Sequence, residues 1–344
     1  MTGSPNPRSN QQWILRRRPT ASVSADDLEL IDTPLPSPAD DEILVRSLFL
    51  SIDPTNRLWM SERDQYLPPV GLGEVMRGTV IGVVESSRSA RFAPGDLVMP
   101  PHGGWQRYSV ERAASCRRLT PARGLPLSAY LSVLGLTGLT AYAGMLDIGQ
   151  PQPGETVVVS AAAGAVGSVA GQIAKIKGCR VIGIAGGPAK CAWLTDQLGF
   201  DGAIDYKRED VGAALARLCP DGVDVSFENV GGAIMDAVFQ RLNRGGRMAV
   251  CGLISGYNDE APLAGPTDFG RVLMNRLTIR GFVVIDHLAR AKDAMADLAR
   301  WIDEGRVQWK DHVVDGLEAA PDALRRLFTG KHDGKLIVRV STLD

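Results

Sequence analysis

The stretch TVVVSAAAGAVGSVAGQIAKIKG, residues 156–178, decides how this chain is read. It opens with a short β-branched apolar run, Thr156 to Val159, of the kind that forms a buried strand. Beyond the corner, apolar side chains recur at helical spacing through Val166, Val169, Ala170, Ile173 and Ala174. Between strand and helix, Ala162, Gly164 and Gly167 take the three small positions of a dinucleotide fingerprint, with alanine at the first. Small residues there permit a tight turn, approach of a pyrophosphate to the backbone, and close packing of helix on strand. The N-terminus of the helix then offers unpaired amides and the positive end of its dipole to the phosphates.

The residues after the corner select among nucleotides. An NAD-binding protein offers a carboxylate to the ribose hydroxyls at the end of the second strand, roughly twenty residues on. Here that strand, Arg180 to Ala185, runs into Gly186, Gly187 and Pro188, and the next acid is Asp196. Two glycines leave space for a 2′-phosphate. Lys190, early on the next helix, supplies positive charge, and Tyr206, after a third strand at 203–205, adds a hydroxyl. The pattern predicts NADP(H) ahead of NAD(H).

The whole chain sets outer limits. At 344 residues it is long enough for two domains. A net charge of −1 with interspersed signs gives no footprint for nucleic acid or a membrane surface. The densest basic run, Arg16 to Arg18, lies beside a predicted strand at 13–15 and is read as a solvated edge. The first twelve residues are polar and hold two prolines, so they read as a loose tail and not a signal peptide. No uninterrupted apolar segment reaches membrane-spanning length. Cys116, Cys179, Cys191, Cys219 and Cys251 form no CxxC pair, and His102, His287, His312 and His332 show no ligand spacing. We therefore expect buried thiols in a reducing cytoplasm, no disulfide framework and no metal site.

Taken in order, residues 12–127 are strand-like: 43–51, 79–85, 96–99 and 105–110 are short, β-rich and separated by Gly and Pro. From Leu131 helices and strands alternate. One or two helices at 131–146 precede the fingerprint unit, and further strands are expected at 223–227, 247–251 and 277–284. An amphipathic helix at 287–305, a strand at 312–315, a helix at 319–328 and a strand at 335–340 complete the reading. Alternation of this kind predicts a doubly wound parallel α/β sheet, here inserted into an antiparallel β domain. We place the β domain at 1–130 plus 300–344 and the nucleotide domain at 131–299. Domain interfaces are favoured ligand sites.

At this point the chain resembles a known family over nearly its whole length. The segments 161–167 (AAAGAVG), 228–232 (ENVGG), 251–258 (CGLISGYN), 330–335 (GKHDGK), 53–60 (DPTNRLWM) and 104–106 (GWQ) together look like the zinc-free medium-chain dehydrogenase/reductase superfamily. Its prostaglandin reductase and curcumin reductase group of NADPH-dependent alkenal double-bond reductases is the most similar branch. The resemblance implies a groES-like β domain, a Rossmann domain and a homodimer. It also implies hydride transfer to the β-carbon of an α,β-unsaturated ketone or aldehyde.

Carried over residue by residue, the resemblance puts Ala162, Gly164, Ala165, Val166 and Gly167 on the pyrophosphate. Gly187, Lys190 and Tyr206 fall at the adenosine phosphate end. Asn229, Cys251, Gly252, Ile254, Ser255 and Tyr257 lie along the ribose and nicotinamide, with Phe282, Val283 and Val284 beside the ring and Thr140 as an amide contact. It implies that Tyr257 holds the substrate carbonyl, with the cofactor ribose hydroxyl as a second donor. Hydride addition leaves an enolate, whose charge needs a donor placed where the oxygen will be. The plainer reading of Tyr257 is a loop tyrosine closing its own turn. Tyr66 is a second pocket candidate. Two departures stand out: Thr55 where the family usually has tyrosine, and His332 where it has an asparagine that contacts the cofactor. We expect His332 still to approach the cofactor, with added pH dependence.

An NADPH:quinone oxidoreductase of the same superfamily is the competing enzymatic reading, separable by assays on an alkenal and a benzoquinone. A non-catalytic NADPH-binding sensor is the competing non-enzymatic one; it would bind NADPH without turnover. A zinc alcohol dehydrogenase is disfavoured by the lack of a GlyHisGlu segment and a four-cysteine lobe. A short-chain dehydrogenase is disfavoured because no tyrosine has a lysine four positions later.

Overall fold

The strand Thr156–Val159 sits in the middle of a six-stranded sheet, and Val157, Val158 and Val159 are fully buried. In the computed structural model, which describes residues 9–101, 103–259, 261 and 263–343, this sheet is parallel throughout. From one edge to the other its strands are Gly202–Asp205, Arg180–Ala185, Thr156–Val159, Val223–Glu228, Leu242–Val250 and Thr278–Gly281. The order runs outward from Thr156–Val159 in one direction and then from Val223–Glu228 in the other. Such a reversal opens a crevice at the carboxyl ends of the two central strands, where α/β sheets bind ligands. The helix Ala165–Ile176 covers the central strands with Val169, Ala170, Ile173 and Ala174 buried.

The chain forms two compact units. The nucleotide-type unit is 132–311 with 333–335. Its main segment holds the helix Ala291–Asp303 whole, which a boundary at 299/300 would cut. The other unit is 1–131, 312–332 and 336–344, so the sheet-and-helix unit is inserted into it. Its main sheet is built on Glu42–Ser51, which pairs antiparallel with Val80–Ser87, Tyr108–Arg112 and the returning strand Lys335–Arg339. Val338 faces Leu50 in that register. A separate ribbon pairs Ser9–Leu15 with Leu28–Pro34. Its core gathers Leu15, Leu50, Ile52, Met60, Met76, Val80, Trp105, Leu336 and Val338.

Several expectations are corrected. Residues 9–12 are strand and not tail, with Asn10 buried and bonded to the Tyr108 carbonyl at 2.8 Å; residues 1–8 and His102 lie outside the described residues. The strand placed at 105–110 is Tyr108–Arg112. Residues 277–284 form a strand only over Thr278–Gly281, and a 3₁₀ turn, Val284–Arg290, precedes the amphipathic helix. In the basic run Arg16 and Arg17 are exposed, as a solvated edge requires, but two of the three arginines also reach inward. Arg18 donates to the carbonyls of Met60 (3.0 Å) and Val70 (3.1 Å), and Arg17 binds the buried Asp27 at 3.0 Å.

Candidate functional site

The corner Ser160–Gly167 shows why small residues are needed. A Cβ on Gly167 would lie 2.5 Å from the Ala161 carbonyl oxygen and 2.9 Å from the Ala162 Cα, so no larger residue fits without moving the turn. Ala161 itself is held at φ +47°, which costs a non-glycine residue about 1 kcal/mol. Gly164 caps the helix, and its backbone forms a parallel bridge to Gly334, one of the three residues of the return segment that belong to this unit. A tight, bare backbone at a helix N-terminus, at the reversal point of the sheet, is the cradle a pyrophosphate requires.

The opposite wall of the crevice is the turn after Val223–Glu228. Glu228 is fully buried, and its Oε1 accepts from Ser160 Oγ (2.9 Å) and from the amides of Val230 (2.6 Å) and Gly231 (2.8 Å). Burial pushes the Glu228 carboxyl above its usual pKa, against these hydrogen bonds. Asn229 is locked by its side-chain amide, which donates to the Ser160 carbonyl at 2.7 Å, and by its backbone N–H, which donates to Ser160 Oγ at 2.8 Å. No role for Ser160 or Glu228 followed from the sequence, although Glu228 opens the 228–232 segment. A carboxylate ending a strand opposite a serine ending its neighbour is visible only once the strands are paired.

The segment 251–257 is sewn to this turn. Cys251 and Gly252 donate to the Glu228 carbonyl (2.8 and 3.1 Å), Ile254 to that of Asn229 (3.2 Å) and Ser255 to that of Val230 (2.9 Å). Burial, then the Glu228 charge, pushes the Cys251 thiol up to about 12, so it is no thiolate nucleophile. Tyr257 folds back over its own loop. The Leu253 amide donates to its hydroxyl at 3.2 Å, and a Cβ on Gly252 would meet that oxygen at 3.3 Å. The structure thus brings Asn229, Cys251, Gly252, Ile254, Ser255 and Tyr257 to one place.

The remaining expected residues divide. The Phe282 ring packs edge-on against Phe227 (6.3 Å) and His287 (5.9 Å), so the side chain serves packing. Thr140 Oγ1 donates to the Leu136 carbonyl at 2.7 Å within its own helix. At the adenosine end, Asp205 Oδ1 accepts from the amides of Gly187 (2.8 Å) and Lys207 (3.1 Å) and so fixes the glycine turn. The Tyr206 ring closes over Gly186, where a Cβ would sit 2.9 Å from its Cε1. Lys190 lies half-buried in the first turn of the helix Pro188–Asp196. Burial lowers its pKa, Asp333 raises it and Lys207 lowers it. The residues at this end fit a phosphate-bearing ribose.

In the other unit, Thr55 and Tyr66 share a short hydroxyl–hydroxyl hydrogen bond. Burial raises the Tyr66 pKa, with the Asp53 charge adding to it and the bond to Thr55 opposing it. The His332 ring meets the Arg326 carbonyl through Nδ1 at 3.2 Å. All five cysteines are free thiols. Among the described residues no three His, Cys, Asp or Glu side chains converge as metal ligands. No helix among them is long and apolar enough to cross a membrane.

Comparison with known proteins gives the chain's family. Residues 11–119 match the family described as the N-terminal domain of oxidoreductase, and 165–304 that described as zinc-binding dehydrogenase. The NADPH-dependent curcumin reductase of Escherichia coli is 39% identical over 337 residues, covering 96% of this chain and 97% of its own. The 2-alkenal reductase (NADP(+)-dependent) of Nicotiana tabacum is 39% identical over 339 residues, 97% of this chain and 98% of its own. The crystal structure of CurA in complex with NADPH from Vibrio vulnificus superposes with a TM-score of 0.92 at 42% identity, covering 97% of this chain and 100% of that one. With such identity along almost all of its length, the corner at Gly164–Gly167 and the turn at Glu228–Gly231 place the chain in the medium-chain dehydrogenase/reductase family, within its zinc-free group of reductases.

Proposed function

We propose that this protein is an NADPH-dependent reductase of the carbon–carbon double bond in α,β-unsaturated ketones and aldehydes, acting without zinc. The observation that carries the reading is the crevice itself. A bare phosphate corner faces the Glu228-anchored turn, and the adenosine end offers Lys190 and Tyr206 where an NAD-binding protein would offer an acid. NADPH, when bound, supplies the hydride. The chain's own residues bind and orient. Gly164, Ala165, Val166 and Gly167 hold the pyrophosphate by backbone, and Lys190 and Tyr206 hold the 2′-phosphate. Asn229 and the 251–257 loop line the ribose, with Thr140, Val283 and Val284 near the ring.

Tyr257 donates its phenol proton toward the enolate oxygen as charge develops there. One such donor is worth about 2.7–4 kcal/mol of transition-state stabilisation. Its hydroxyl oxygen is already positioned by the Leu253 amide, so little reorganisation is needed. Thr55 and Tyr66 are the proposed substrate-pocket residues of the first unit, and His332 takes the role of the family's cofactor-contacting asparagine.

The protein is proposed to be cytoplasmic, which its five unpaired thiols support, and to pair as a homodimer. Support for the dimer comes from Thr278–Gly281, an edge strand exposed at every residue, with Leu273, Met274, Phe269 and Ile279 exposed nearby. Such an edge is a ready template for pairing with a second copy.

The deciding experiment follows NADPH consumption with an enone, an alkenal and a benzoquinone, using wild type and Tyr257→Phe. Turnover of the enone and alkenal that collapses in the variant supports the reading. Turnover of the quinone alone, or NADPH binding with no turnover at all, overturns it.

A further inference from the structure

We infer that Lys207 is a second cationic determinant of the 2′-phosphate site, acting with Lys190 and Tyr206 to set the preference for the phosphorylated dinucleotide. This rests on the NADPH reading above and extends it to a residue that sequence pattern does not single out.

The geometry comes from two loops pinned by one carboxylate. Asp205 ends the outermost strand, is largely buried, and accepts through Oδ1 from the amides of both Gly187 and Lys207. The Gly186–Gly187 turn and the Tyr206–Lys207 pair are therefore held side by side. A Cβ on Gly186 would lie 2.9 Å from Lys207 Cε and 2.9 Å from Tyr206 Cε1, so the ring and the lysine stem flank the same bare backbone. The Lys207 ammonium stands 6.0 Å from the centre of the Tyr206 ring. Lys190 approaches from the first turn of the neighbouring helix and feels the charge of Lys207 directly.

Two ammonium groups brought within range of each other are unfavourable unless an anion joins them. Asp333 acts on Lys190 but is also 3.4 Å from Lys310, so one carboxylate is shared between two lysines. Asp205 spends Oδ1 on the two amides, and its Oδ2 is 3.8 Å from Arg208. The Lys207 side chain and the Tyr206 ring thus meet at Gly186, where two glycines leave room for an anion. A phosphate monoester carrying about −1.5 to −2 charges is the complement. The competing view is that Lys207 only covers Gly186 with its methylenes.

Calorimetric titration of 2′,5′-ADP and 5′-AMP into wild type, Lys207→Met and Lys207→Arg separates the two. Methionine keeps the stem and removes the charge. We expect Lys207→Met to weaken 2′,5′-ADP about tenfold, the scale of one hydrogen bond to a charged group. Affinity for 5′-AMP should be unchanged, and Lys207→Arg should retain most of the preference. An unaltered ratio of the two affinities in Lys207→Met, or equal weakening of both ligands, overturns the assignment. Wild type that fails to prefer 2′,5′-ADP over 5′-AMP sinks the cofactor reading instead, and this inference with it.

Discussion

Ser160 Oγ donates to Glu228 Oε1 across 2.9 Å, tying together the ends of the two neighbouring strands at which the sheet order reverses. The same oxygen of Glu228 orients two further amides, and Ser160 in turn accepts from the Asn229 amide. One buried carboxylate thus sets the shape of the turn that carries the proposed ribose-binding residues. Networks of this kind in a low dielectric are costly when one member is lost.

Glu228→Ala leaves a hydroxyl and two amides without their acceptor, and should cost roughly 3 kcal/mol of stability along with most NADPH affinity. Glu228→Gln keeps an acceptor oxygen and should be milder. Because burial raises the native pKa of Glu228, the folded state binds the proton more tightly than the unfolded chain. Stability should therefore fall as pH climbs from the ordinary glutamate value to the raised one. Melting curves against pH would show that decline shrink in Glu228→Gln; identical slopes in the two proteins would refute it.

Tyr257→Phe should lower kcat/KM for an enone by about 100–1,000-fold, the effect of losing one oxyanion donor. The folded state loses the bond from the Leu253 amide, about 1 kcal/mol. Unchanged turnover with a lowered Tm would mark Tyr257 as a residue that merely closes its turn.

Gly167→Ala pushes a methyl group to 2.5 Å from the Ala161 carbonyl. Overpacking of this kind costs about 1–3 kcal/mol, and here the strain falls on the phosphate corner. We expect a lower Tm and an NADPH dissociation constant raised more than tenfold, read by quenching of protein fluorescence. Wild-type affinity would show that the corner deforms without consequence.

Ile279→Pro removes an amide donor from the open edge of the parallel sheet. If two copies join edge to edge, light scattering should report a monomer in place of a dimer, with NADPH binding retained. A dimer that survives the substitution places the interface elsewhere.

Periodicity made the nucleotide unit readable because each of its segments obeys one rule along its length. The strand Arg180–Ala185 is found at the expected residues, and the fingerprint strand and helix at theirs, since buried strands and amphipathic helices announce themselves by apolar spacing. The short helix Thr55–Trp59 escaped because it buries polar side chains. Arg57 is 2% exposed and spends its guanidinium on the carbonyls of Pro19 (2.9 Å) and Ala21 (3.2 Å). Leu242–Val250 starts earlier than the expected 247–251 strand because Leu242 pairs with Val223 before a bulge that carries Gly245 and Gly246, and the regular ladder resumes at Arg247 opposite Val225. The site divides along the same line. Glycines and the Lys190–Tyr206 pair follow from motif spacing, whereas Ser160, Glu228 and Asp205 act through partners far away in sequence.

The tripeptide Asp333–Lys335 belongs to the nucleotide unit although the chain on either side of it belongs to the other, and Gly334 lies bridged to Gly164. Anyone building hybrids between this protein and a relative therefore faces a discontinuous graft. Swapping 132–311 alone would mate a new phosphate corner with the old recipient's glycine. Carrying the three late residues along as well should keep the seam native and rescue nucleotide uptake in the chimera.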